Sequence, residues 1–199
     1  MKQSEMTLIR NRIKEMPYGS AFAISDFLDN VEYENARKCL YRLEEEGMIR
    51  RIIRGIYDKP YYSKIIDEYS SPNIDKVAYA IARHYGWVIS PSESISLNLL
   101  GLSAQVSNNY EYYSSGPYKT YKVGNIDIIF KHKTSKELLN MSYKSQLVVN
   151  AIKELGKDID DSSISIINYQ LSQKEKDNLY AETKLVSKWV RDVIKRIYA

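Results

Sequence analysis

The chain has 199 residues, 44% of them hydrophobic, which is enough for a core and for one or two domains. No run of about 18 apolar residues exists, and residues 1–17, MKQSEMTLIRNRIKEMP, mix both charge signs without the apolar stretch of a signal peptide, so an intracellular, cytoplasmic protein is expected. One cysteine excludes an internal disulfide, the two histidines join no Cys/His pattern with zinc-ligand spacing, no GxxxxGKS/T or GxGxxG loop is present, and a net charge of +4 permits an anionic partner without demanding one.

Leu8, Ile9, Ile13 and Met16 fall at helical spacing, and Pro17 and Gly19 then stop the helix. A second short helix is expected over Ser25–Asp29, with Ser25 as N-cap and Phe27 and Leu28 packed inward. A third runs from Tyr33 to Glu46, with Gly47 where a C′ residue belongs. The period then changes. MIRRII (48–53) and IYDK (56–59) are short β-like runs around Arg54-Gly55. Three helices followed by a β-hairpin within sixty residues is the order of a winged helix-turn-helix.

Residues 61–74 read as a connector, loosest at Ser70, Ser71 and Pro72. A second domain is expected over 75–199, opening with a helix from Asp75 to Tyr85 that carries Val77, Ala78, Ile81 and Ala82 on one face. A short strand in GWVIS follows, then a helix with Ser92 near its start and Gly101 at its end. YKTYKV and IDIIFK flank Gly124-Asn125, a two-residue hairpin signal. Residues 143–155 are helical, and Ser172 with Glu175 matches a capping box. Val186, Trp189, Val190, Val193, Ile194 and Ile197 form an apolar stripe ending near Lys195 and Arg196, which suits the helix dipole. The expected fold class is α+β: a winged helix-turn-helix over 1–60, then a larger mixed α/β C-terminal domain.

The helix from Tyr33 carries the most chemistry. At ~100° per residue, Ala36, Leu40 and Leu43 share a narrow arc with Cys39 beside it. Lys38, Tyr41, Arg42 and Glu45 lie opposite, flanked by Arg37. A DNA-reading helix needs this split, because its apolar side docks on the domain while arginine reaches guanine O6 and N7 in the major groove. Lysine and tyrosine more often position the phosphate backbone. Glu44, Glu45 and Glu46 would repel DNA but sit at the C-terminal end, away from the part that meets bases. The hairpin adds Arg50, Arg51 and Arg54, with Arg50 and Arg51 facing opposite ways and Arg54 at a tip suited to a phosphate or the minor groove. The candidate DNA-binding set is therefore Arg37, Lys38, Tyr41, Arg42, Arg50, Arg51 and Arg54. The competing reading is a solvated surface helix and hairpin, or a winged helix that contacts protein.

Tyrosine is over-used, 18 of 199, and crowds residues 108–124. That stretch reads either as strand propensity with coding bias or as a stacking or partner surface. No enzyme, cofactor or metal is expected. Asp127 is the best isolated candidate for a metal-binding carboxylate but has no second acid or GS motif near it, and Asp158, Asp160 and Asp161 read as a solvated acidic loop.

The segments IRNRIKEMPYGSAFAISDFLD and ENARKCLYRLEEEGMIRRIIRGIYDKP together resemble the N-terminal winged helix of AbiEi-type antitoxins. The pattern LxxLxxxGxIxRxxxGxY is met by Leu40, Leu43, Gly47, Ile49, Arg51, Gly55 and Tyr57, and a second pattern, SxxLxxxGLSxQV, runs from Ser94 to Val106. The resemblance spans roughly 5–135 and is loose beyond. It implies a type IV antitoxin that represses its own operon through the winged helix; since one small winged helix offers little contact area, a dimer on an inverted-repeat operator in double-stranded DNA is expected. Its C-terminal domain would counteract a nucleotidyltransferase-like toxin without a stable complex. The alternative is a regulator without a toxin, whose second domain senses a ligand or dimerises.

Overall fold

The computed structural model describes residues 4–104, 108–134 and 141–198, so Gln105 and Val106 of the SxxLxxxGLSxQV segment lie outside the described residues. The chain is mixed α+β and divides into two compact units, Met1–Trp87 and Val88–Ala199. The division falls later than the sequence suggests. The helix expected to open the second domain, α3 (Ile74–Tyr85), packs on the strand Ala21–Ala23 of the first unit. Its six buried residues, Ile74, Val77, Ala78, Ala80, Ile81 and Ala82, need cover on more than one side, which a connector-linked surface helix would not supply.

In the first unit, α1 (Glu5–Glu15) starts where the Ser4 hydroxyl accepts from the Thr7 N–H and ends before Pro17. Lys59 Nζ donates to the Lys14 and Met16 carbonyls at 2.7 Å each, satisfying groups that the helix end leaves open. β1 (Ala21–Ala23) is a strand that the sequence does not announce, because AFA is too short to show alternation. The expected helix over 25–29 is a single 3-10 turn, Ile24–Phe27. Ser25 does not cap it: its hydroxyl is buried without a partner, and the Asp26 carboxylate instead accepts from the Ala23 N–H at 3.0 Å. Phe27 is buried as expected, whereas Leu28 is exposed.

α2 (Tyr33–Glu45) closes with two backbone bonds past its end, Gly47 N–H to Glu44 O at 2.9 Å and Met48 N–H to Leu43 O at 3.0 Å. This closure needs a left-handed residue at Gly47, where φ is +71°. β2 (Arg50–Ile53) and β3 (Ile56–Asp58) then form the expected hairpin, and the sheet order is β1-β3-β2. Ile9, Ile13, Phe22, Phe27, Leu40 and Leu43 form the centre of the core. A second, smaller hairpin follows, β4 (Tyr62–Ser63) and β5 (Glu68–Tyr69), in the stretch read from sequence as a connector.

The second unit carries a four-stranded sheet in the order β6-β7-β9-β8: β6 (Ile89–Pro91), β7 (Asn109–Ser114), β8 (Lys119–Val123) and β9 (Ile126–His132). β7 and β9 run parallel and the other pairs antiparallel, with Gly124-Asn125 turning β8 into β9. In the second half of β7 alternation is visible, since Tyr112 and Ser114 are fully buried and Tyr113 between them is half-buried, while Tyr110 is half-buried near the strand's start. Among the described residues the unit's core is completed by the helices α4 (Glu93–Leu99), α5 (Tyr143–Leu155), α6 (Asp161–Tyr169), α7 (Gln173–Glu182) and α8 (Lys188–Tyr198). Val148, Ile152, Ile167, Val190, Ile194 and Ile197 are fully buried among them. Ser172 and Glu175 form the capping box of α7, with the Ser172 N–H donating to the Glu175 carboxylate at 2.8 Å.

The acidic run at 158–161 is not a free loop. Asp160 caps α6, accepting from the Ser162 hydroxyl and from the Ser163 N–H at 2.7 Å, and these bonds hold its carboxyl down at about 2. Against an ordinary aspartate near 3.9, the cap stabilises the fold above that value and loses its effect as pH falls towards about 2. Asp160→Asn keeps a capping oxygen but removes the titration. Its thermal midpoint should therefore fall less than wild type's between pH 4 and pH 2, as followed by circular dichroism; equal falls would contradict this role for Asp160.

Candidate functional site

The site lies wholly in the first unit, between the outer face of α2 and the β2–β3 hairpin. A groove of about 520 Å³ there is lined by Tyr33, Arg37, Lys38, Tyr41, Arg42 and Glu44 of α2, with Arg51, Arg54, Gly55 and Tyr57 of the hairpin and Ile24 of the 3-10 turn. It forms because α2 buries Ala36, Cys39, Leu40 and Leu43 and so turns its opposite face outward. The hairpin is held at its tip. The Ile24 N–H donates to the Gly55 carbonyl at 3.1 Å, and Gly55 takes φ +81° in the turn. His84 of α3 lies where a side chain on Gly55 would just reach it.

Six of the seven candidate residues meet in this groove. Arg37, Lys38, Tyr41, Arg42, Arg51 and Arg54 are all exposed there. Arg50 is not in its lining. Its Nε and Nη2 donate to the two Asp58 carboxylate oxygens at 3.1 and 2.6 Å, and the Asp58 side chain is only 2% exposed. The cause is a register shift. A two-residue turn at Arg54-Gly55 with Ile53 opposite Ile56 would set Arg51 against Asp58. The hairpin carries one extra residue at Ile52, so Arg51 pairs with Tyr57 and Arg50 with Asp58. Arg50 thus compensates a buried carboxylate, and Arg51 turns to the groove.

Tyr33 and Tyr57 enter the lining although neither belongs to the candidate DNA-binding set, and Glu44, expected to lie away from the bases, joins them. Tyr33 and Glu44 share the exposed side of α2; Tyr57 is placed by the same shifted register. Burial raises the pKa of the Tyr57 hydroxyl, and a hydrogen bond to Glu45 raises that of Tyr41, so both phenols remain protonated at neutral pH. The acidic end of α2 is less repulsive than its sequence implies. Glu46 accepts from both terminal nitrogens of the Arg10 guanidinium, one at 2.8 Å, and this pairing lowers its pKa. Arg37 pairs with Glu34 one turn back at 2.9 Å, but both groups are exposed and such a pair holds only about 0.2–1 kcal/mol. Five cations therefore face the groove against one lining carboxylate, Glu44. Arginine forks and phenol donors with this charge suit an elongated anion rather than a small buried one.

Elsewhere the polar candidates have structural roles. Burial pushes the Cys39 thiol up, as for a core residue. Asp127 sits in β9 opposite Lys122 and Asn109. His132 Nδ1 lies 2.8 Å from the Gly116 carbonyl. Among the described residues no three His, Cys, Asp or Glu side chains gather as metal ligands, and no helix is long and apolar enough to cross a membrane.

Residues 8–179 match a family of unknown function, DUF6088, and the chain belongs to that family. The match takes in the groove and most of the second unit. No curated protein is significantly similar to the chain.

Arg50 should behave as a stability residue. Arg50→Ala leaves the Asp58 carboxylate buried without its partner and should cost about 1–3 kcal/mol in urea denaturation, the usual penalty for such an orphan. Replacing Asp58 as well, by Asn, should recover part of that loss; a neutral effect of Arg50→Ala would mean that water serves Asp58 equally well.

Proposed function

We propose that the first unit is a winged helix-turn-helix that binds double-stranded DNA, and that the protein represses transcription of its own operon. The observation that carries this is the groove itself: a helix face and a hairpin tip, set side by side, that converge five cations and three tyrosines on one channel. A helix about 10–12 Å across fits the major groove, which is about 12 Å wide. With α2 so placed, one phosphate strand runs along the channel between α2 and the hairpin. Arg37, Lys38, Tyr41 and Arg42 then face bases and the adjoining backbone, Arg51 lies against the strand, and Arg54 at the hairpin tip reaches the next minor groove. Glu44 and Glu45 lie in the last turn of α2, beyond the part of a recognition helix that meets bases.

The resemblance to AbiEi-type antitoxins extends the proposal to the second unit, which would counteract a nucleotidyltransferase-like toxin encoded beside it. Growth rescue on co-expression with that neighbouring gene tests this half. Full-length protein should rescue and residues 1–87 alone should not; rescue by the fragment would assign the effect to the first unit, and a gene with no such neighbour would leave a regulator without a toxin.

DNA binding is tested by fluorescence anisotropy on the protein's own promoter at two salt concentrations. Arg37→Ala or Arg42→Ala should lose about 1–3 kcal/mol of discrimination at one base pair. Arg54→Ala should weaken all sequences alike and lower the salt slope by about 1. Unchanged affinity in all three folded variants would reduce the groove to a solvated surface.

A further inference from the structure

The β4–β5 hairpin puts two large apolar side chains where a soluble monomer has no use for them. Ile65 is 96% and Ile66 65% exposed at its tip. The tip is nevertheless ordered by its own bonds. Asp67 takes φ +54°, a left-handed conformation that aspartate tolerates, and its carboxylate accepts from the Tyr62 hydroxyl. At the base, Ser70 N–H donates to the Tyr61 carbonyl at 2.8 Å, and the Tyr62 and Tyr69 rings meet edge to face at 5.0 Å. Beside the hairpin lies a second groove, about 570 Å³, walled by Tyr18, Met48, Lys59, Tyr61, Tyr62 and Tyr69. Tyr18 and Tyr61 meet edge to face at 5.8 Å, and the Lys59 ammonium sits over the Tyr18 ring.

We infer that this face of the first unit is the dimer interface of the protein, with the Ile65–Ile66 tip of each copy seated in the tyrosine groove of the other. Three observations select a second copy as the occupant. Apolar knob and aromatic hole adjoin on one face, since Tyr62 and Tyr69 of the hairpin also wall the groove beside Tyr18, Met48 and Lys59 from outside it, so one two-fold axis seats each tip in the other copy's groove, as an isologous contact requires. Charge is self-complementary. Asp67 and Glu68 follow the two isoleucines and the groove wall carries Lys14, so a two-fold exchange brings each copy's acids towards the other copy's lysine. Area is adequate. Four tyrosines about half exposed offer roughly 100 Å² each, and with the two isoleucines the patch approaches the roughly 800 Å² per partner of a standard interface. The patch shares no residue with the cationic groove, so dimerisation leaves that groove open.

The test is sedimentation velocity on the full chain without DNA, so its outcome is independent of whether the cationic groove binds DNA. Wild type should dimerise with a micromolar dissociation constant. Ile65→Asp with Ile66→Asp, both at exposed positions, should raise that constant at least tenfold with an unchanged circular dichroism spectrum. Lys14→Glu should weaken the dimer, and adding Glu68→Lys should restore it. A wild type that stays monomeric at about 100 µM, a dimer indifferent to the isoleucine changes, or a monomer whose tip instead binds phosphatidylserine vesicles would each overturn the inference.

Discussion

One carboxylate ties the first unit together. Asp26 accepts from the Ala23 N–H, and both its oxygens accept from Arg83, at 3.2 and 3.0 Å. Arg83 also donates to the Ala21 carbonyl at 3.1 Å. Through these bonds the 3-10 turn, β1 and α3 become one piece. The turn in turn holds the hairpin tip, because Ile24 donates to Gly55. α2 packs on the same turn, with Phe27 and Leu40 in one core. The width of the cationic groove is therefore set by a chain of short contacts that begins at Asp26. A charged carboxylate with three donors is also well satisfied where its side chain is only 17% exposed.

The groove's charge is a matter of which cations are already answered. Arg10 is held by Glu46, Arg50 by Asp58, and Lys59 by two helix-end carbonyls. Each of these lies outside the groove's lining, and each spends its charge on the fold. Lys38, Arg42, Arg51 and Arg54 keep theirs turned to the channel. The field there arises from placement, since the whole chain is only mildly basic.

Much of this was legible in the residues. The helix from Tyr33, its Gly47 stop, the turns at Arg54-Gly55 and Gly124-Asn125 and the capping box at Ser172 each carry a local signal that tertiary context does not override. The misses have physical causes. β1 and the β4–β5 hairpin are two or three residues per strand, below the length at which alternation can be seen. α3 reads as a helix from its own residues, but nothing in them says which unit it covers. α6 hid behind three aspartates that suggested a loop, although Asp160 is a good N-cap and Ile164 and Ile167 follow at helical spacing. Arg50 joins Asp58 and stays out of the groove because a single extra residue at Ile52 shifts the pairing, and no periodicity in RRII reveals it.

Cys39 has a further consequence. It is the sole thiol in these 199 residues and sits in the core beneath the outward face of α2, 9% exposed. A thiol that is both covered and held protonated by burial is a slow target for peroxide or disulfide exchange. The chain therefore offers oxidants no quick handle on the helix that faces the groove. The same seclusion makes Cys39 a single-site reporter, because its alkylation is slowed to the extent that α2 stays packed on its core.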